Sequence, residues 1–123
     1  NTTGFICSLD DKTTSVWALA YLTDATNVQF AGQQGGTQWV TNASNAYTPG
    51  ANSKVAWSQA ANDIKMAKDG VAQTQDTSAT VPTTTVLSVG HYGGGQGQLS
   101  GNVGPIYGWT RNFSQSEVNA VAT

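Results

Sequence analysis

Asp63-Ile64-Lys65-Met66-Ala67-Lys68-Asp69-Gly70-Val71-Ala72-Gln73-Thr74-Gln75 is the stretch that decides the fold. Two short alternating runs flank an Asp-Gly pair, and glycine accepts the positive φ that a two-residue hairpin turn requires. The stretch is read as a β-hairpin of residues 63–67 and 71–75, with Ile64 and Met66 facing a core and Lys65 and Lys68 outside.

Outward from this hairpin the same grammar repeats. Upstream, residues 54–60 set Val55 and Trp57 against Ala56 and Ser58, which is strand alternation. Residues 42–53 form a loop around the turn dipeptide Pro49-Gly50. Residues 28–31 and 38–41 are short strands parted by a flexible turn from Gly32 to Gly36. Val16 to Leu22 is apolar on both alternating faces, so it is expected to be a central strand covered twice; an exposed aromatic face is the alternative. Residues 5–9 make the first strand, ending at Asp10-Asp11-Lys12. Downstream, residues 76–84 are a polar connection containing Pro82, residues 85–92 a strand, and residues 91–98 a mobile glycine-rich loop. Residues 103–110 are expected to be the last long strand, edge or bulged at Pro105, where the ladder loses a donor.

One helix closes the chain. Ser114 and Glu117 have capping-box spacing, and Phe113 and Val118 have the spacing of a hydrophobic staple. The helix, residues 115–122, is about two turns long and has to dock to persist. About nine short strands with frequent turns and one terminal helix indicate an all-β, two-sheet antiparallel sandwich in one domain, 1–123. A start at Asn1 without Met suits a fragment or a terminal domain of a longer protein.

Composition bounds the function. Only 10% of the 123 residues are charged and the net charge is −2, with Lys12, Lys54, Lys65, Lys68 and Arg111 scattered, so no basic face for nucleic acid is expected. No run has the length and apolarity of a membrane-spanning helix, and membrane insertion is not expected. Cys7 is alone, which excludes an intrachain disulfide, and it reads as a buried small hydrophobe. Sequons at Asn1, Asn42 and Asn112 are what a chain rich in Asn, Ser and Thr contains by chance.

The hairpin Asp63 to Gly70 resembles the strand–Asx-Gly–strand unit of laminin-G-like and concanavalin-like jelly rolls. Leu87-Ser88-Val89-Gly90, the glycine loop and Leu99-Ser100-Gly101-Asn102-Val103 are similar to a passage of those domains. Residues 103–109 followed by Arg111-Asn112-Phe113-Ser114-Gln115-Ser116-Glu117-Val118 resemble their closing signature. The order also resembles jelly-roll domains of bacteriophage virion proteins, such as tail fibres, spikes and capsid fibres. Ser8-Leu9-Asp10-Asp11, residues 47–57, Asn62-Asp63-Ile64 and residues 76–82 carry that part. The resemblance implies a concanavalin-like jelly roll on a virion surface, a non-catalytic structural or attachment domain contacting other virion proteins and host-surface glycans. It also implies a homo-oligomer, a trimer, for which the apolar strand Val16 to Leu22 could supply the interface. The alternative is a carbohydrate-binding module of a secreted bacterial protein.

The residues themselves argue against catalysis. Glycan hydrolysis needs two carboxylates flanking the bond, yet Glu117 is the sole Glu and caps the helix, while most of the six Asp lie in turns. His91 is the only His, which excludes a multi-His metal site, and Gly93-Gly94-Gly95-Gln96-Gly97 lacks the Lys-Ser/Thr and helix of a phosphate loop. No catalytic residue, metal or cofactor is expected; a structural calcium would need the Asp-x-Asp-x-Asp-Gly pattern that is missing. Trp39, Tyr47, His91, Tyr92 and Gln96, in or beside loops, are the candidate ligand-binding residues, because sugar faces stack on aromatics and amides bond hydroxyls. Trp17, Trp57 and Trp109 are expected in the core.

Overall fold

The computed structural model describes residues 4–24, 26–93 and 95–123. The Asn1 sequon and Gly94 of the glycine loop lie outside them. The order is β1 Gly4–Asp10, β2 Val16–Leu22, β3 Val28–Gln34, β4 Thr37–Asn42, β5 Val55–Ala60, β6 Asp63–Lys68, β7 Val71–Ala72, β8 Val86–Val89 and α1 Gln115–Val121. They build a five-stranded sheet in the order β4-β3-β2-β1-β8 and a three-stranded sheet in the order β5-β6-β7. Every pairing is antiparallel. The chain is a two-sheet β-sandwich with one short C-terminal helix.

The hairpin that decides the fold forms as its turn chemistry requires: Asp69 and Gly70 sit at φ 50° and 75°, both left-handed. Ile64 and Met66 are fully buried between the sheets, with Ala18, Ala20, Val28, Phe30 and Trp39 from the larger sheet. Full burial of each large member contributes about 1.5–3 kcal/mol. The other face of the small sheet carries Ala56 and Ala67, against which Phe113, Val118 and Ala122 of the helical segment pack. Phe113 and Val118 thus meet as the staple, and Ser114 and Glu117 form the capping box.

Lys68 is a correction. Alternation puts position 68 on the face of Ile64 and Met66, and the side chain is indeed buried, not outside. Its ammonium donates to the Ala46 carbonyl at 3.1 Å and pairs with Asp69. Buried Gln73 bonds Ser44 and Asn45, so the polar pair Lys68 and Gln73 fastens the 43–53 loop to the hairpin. Gln73 itself lies beyond β7, which ends at Ala72.

β2 is the middle strand, and Ala18, Leu19 and Ala20 are inaccessible. Val16, Trp17, Tyr21 and Leu22, at the two ends of the strand, are half-buried. A bulge between Phe5 and Cys7 shifts the parity of β1, so that Phe5, Ser8 and Asp10 all share the outer face with Tyr21, Leu19 and Trp17. The 91–98 loop is folded against that face: Tyr92 packs on Phe5 and meets Trp17 edge-on. Buried Asp10 ties the region together, accepting from Ser8 at 2.7 Å and from the Lys12 amide at 2.9 Å. Burial pushes its carboxyl up, but bonds from Ser88, Ser8 and the Lys12 and Gly93 amides outweigh this and hold it below its ordinary value.

Residues 103–110 differ from expectation. They form no strand, and among the described residues no backbone–backbone hydrogen bond involves residues 100–112. Pro105 removes one ladder donor, Gly104 and Gly108 weaken strand preference, and none of the described strands pairs with the segment. Trp109 is accordingly 55% exposed, not in the core, while Trp17 and Trp57 are half-buried.

Candidate functional site

Two hollows lie at one end of the larger sheet, where β1 begins and β2 ends. One hollow of about 590 Å³ is lined by Phe5, Tyr21, Leu22, Thr23 and Gln98. A second, of about 380 Å³, is lined by Leu22, Tyr47, Pro49, Asn52 and Asn102. Leu22 borders both, so the two hollows adjoin as a groove of aromatic rings and side-chain amides with no charged side chain among its described lining residues.

Each wall has a sequence cause. Phe5 and Tyr21 are opposite residues of the β1–β2 ladder, and their rings stack with centroids 5.0 Å apart. The Tyr21 hydroxyl donates to Gln29 Oε1, which fixes the ring, and burial raises its pKa. Gly97 lies under Phe5, so close that a Cβ would stand 2.0 Å from the ring; its φ of 59° also suits glycine. Tyr47 is set by its amide, which donates to the Thr26 carbonyl at 2.6 Å, and by the loop fastened through Lys68 and Gln73.

The sequence candidates divide. Tyr47 lines the second hollow. Tyr92 supports Phe5 from behind, and Gln96 is exposed in the tight turn that Tyr92 and Gln96 close through backbone bonds of 2.8 and 3.0 Å. His91 is half-buried, its carbonyl accepting from Ser8 at 3.3 Å and its Nδ1 buried without a partner. Trp39 is a correction: it lies in β4, 2% exposed, with its indole pressed against Gly32, and no ligand can reach it. Phe5, Tyr21, Gln98 and Asn102 were not singled out from sequence. For Tyr21 the signal was available, since it is an aromatic next to the end of β2 at Leu22, close to the end of the sandwich.

The carboxylates are otherwise engaged. Asp11, Asp24 and Asp76 each accept the amide of the residue two positions on, at 2.9, 2.7 and 2.8 Å. Asp63 pairs with Lys65, Asp69 with Lys68, and Glu117 with Arg111. Among the described residues no three His, Cys, Asp or Glu side chains gather around a common point. Cys7 is buried, and desolvation pushes its thiol up to about 11, so it is not a thiolate at neutral pH.

No family model matches this chain, and no curated protein sequence matches it. Its fold is similar to the crystal structure of an S-layer domain-containing protein fragment from Clostridium thermocellum. The TM-score is 0.52 and the identity 16%, over 98% of this chain and 63% of that one. The likeness shows the fold. This chain spans less than two thirds of that neighbour's length.

Proposed function

We propose that the chain is a non-catalytic binding module of a bacterial surface or secreted protein, and that its groove takes a neutral glycan. The observation that carries the reading is the groove itself. Tyr21, backed by Phe5, and Tyr47 offer aromatic surface, while Thr23, Asn52, Gln98 and Asn102 offer the hydroxyl and amides that bond sugar hydroxyls. Absence of charge among the described lining residues favours an uncharged polysaccharide over an acidic one. Commitment of the carboxylates to turns, ion pairs and the helix cap supports a module without hydrolytic chemistry. Asp10 and Ser8 are sealed inside, and Ser8 gives its hydroxyl to the carboxylate, which makes that pair a loop fastener.

The S-layer domain-containing neighbour lends weight to a bacterial surface setting, and with it to the secreted-module reading over attachment to a virion. The test is retention by neutral polysaccharides (β-glucan, mannan, galactan and xylan) in affinity gel electrophoresis. Retention by at least one is expected, lost in Tyr47→Ala and kept in Trp109→Ala. No retention by any of them, or retention indifferent to Tyr47, contradicts the reading.

A further inference from the structure

The two sheets do not match in width. The small sheet covers β2, β3 and β4, whose Ala20, Phe30 and Trp39 meet Ile64 and Met66. β7 and the residues after it lie toward β4, where Thr41 and Ser44 bond Thr74 and Gln73. β5 is thus the edge on the β1 side, and it pairs only with β6. Beyond it the inner face of β8 is open: Leu87 and Val89, opposite Leu9 and Cys7 on that face, are 50% and 45% exposed, whereas Cys7 is buried. Neither β5 nor β8 carries a charged residue, the usual guard against pairing at an edge.

The same chain holds an apolar segment that pairs with none of the described strands, although Trp109 packs against Phe113 with ring centroids 5.2 Å apart. Residues 103–110 are tethered at both ends, by the Leu99 amide on the Gly90 carbonyl at 2.8 Å and the Phe113 amide on Ser58 Oγ at 2.8 Å. Between these tethers Tyr107 is 74% exposed, Trp109 55% and Ile106 37%, and the segment carries no charge. A contiguous apolar patch of this kind is uncommon on a monomer and marks an interaction surface.

We propose that residues 103–110 form an interface strand, adding to the open edge of β5 in a second copy of this chain and covering its Leu87 and Val89. The occupant is argued from self-complementarity: the unpaired strand, the open edge and the exposed strip all belong to one chain, and its described residues cover none of the three. Eight extended residues span about 26 Å, enough to run the length of the six-residue β5. Extended backbone places Val103, Pro105, Tyr107 and Trp109 on one face, the apolar one that would meet Leu87 and Val89. Pro105 suits the outermost position, where its missing N–H points away from the ladder. Reciprocal exchange satisfies both copies at once and closes as a two-fold dimer. The glycan groove is left open, since neither β5 nor residues 103–110 line it.

The test is native mass by light scattering from 1 to 200 μM, with amide hydrogen exchange on the same samples. Wild type is expected to double in mass with concentration, and the amides of residues 103–110 to gain protection as it does. Tyr107→Lys and Trp109→Lys should stay at monomer mass with an unchanged circular dichroism spectrum. Val40→Lys, which charges the other edge at an equally exposed valine, should associate as wild type does. A monomer at every concentration overturns the proposal, as does association that survives both lysines. Protection of 103–110 at monomeric dilution also overturns it, because the strand would then pair within its own chain.

Discussion

Gly32 offers the sharpest test of how the core is packed. It lies in β3 directly opposite Trp39 of β4, and the indole lies flat against it. A Cβ at position 32 would stand 2.4 Å from Trp39 Nε1, 2.5 Å from Cε2 and 2.8 Å from Cζ2. Those are atoms of a rigid ring that is 2% exposed, so the ring has to move into an occupied core. Gly→Ala in a strand would ordinarily gain a fraction of a kcal/mol through chain entropy, whereas forced overpacking costs about 1–3 kcal/mol. The clash wins, and Gly32→Ala should lose about 2 kcal/mol net. Urea unfolding followed by tryptophan fluorescence measures it. Trp39→Phe, which shortens the ring, is costly alone but should relieve the clash. The double variant should be more stable than the sum of the singles by about 1 kcal/mol. Gly32→Ala at wild-type stability, or strict additivity in the cycle, would refute this packing.

Three further expectations follow from buried and charged groups. Lys68→Met removes the donor to the Ala46 carbonyl, so it should cost about 1–3 kcal/mol and speed protease cleavage within residues 43–53; an unchanged cleavage rate would contradict the fastening role. Asp24 and Glu117 are held down to about 2, by the Asn27 side chain with the Thr26 amide and by Arg111 with Ser114. Because both folded values lie below the unfolded ones, their stabilisation is whole above about pH 4.5 and disappears as pH falls toward 2. Thermal melts should drop across that window, and Glu117→Gln should flatten the drop; a slope unchanged by the variant would count against it. Cys7, with its thiol pushed up to about 11, should react with a disulfide reagent at pH 8 only in urea, and prompt labelling of the folded chain would show the site open.

Where local chemistry dictates structure, the sequence was readable. The Asp69-Gly70 turn, the Ser114–Glu117 box and the central placement of Val16 to Leu22 all rest on neighbours or on strict alternation. Lys68 was misplaced because its charge was weighed above its register, although period two places it with Met66. Trp39, in a short strand beside a loop, reads as a ligand contact because nothing in a linear sequence reveals that Gly32 faces it. Residues 103–110 have the apolar pattern of a strand, but a ladder needs a partner, and pattern alone does not say where the partner is. The groove was half legible: Tyr47 stood in a loop, whereas Phe5 and Tyr21 meet only through a register set by the bulge in β1.

The most direct test of the binding module is a backbone-amide NMR titration of the labelled chain. The probe is a mixture of neutral oligosaccharides from β-glucan, mannan, galactan and xylan. Saturable shifts confined to residues 4–5, 21–23, 47–52 and 97–102 are predicted, because those segments wall the groove. No shifts at millimolar sugar, or shifts centred on the helix or on residues 103–110, would contradict the account.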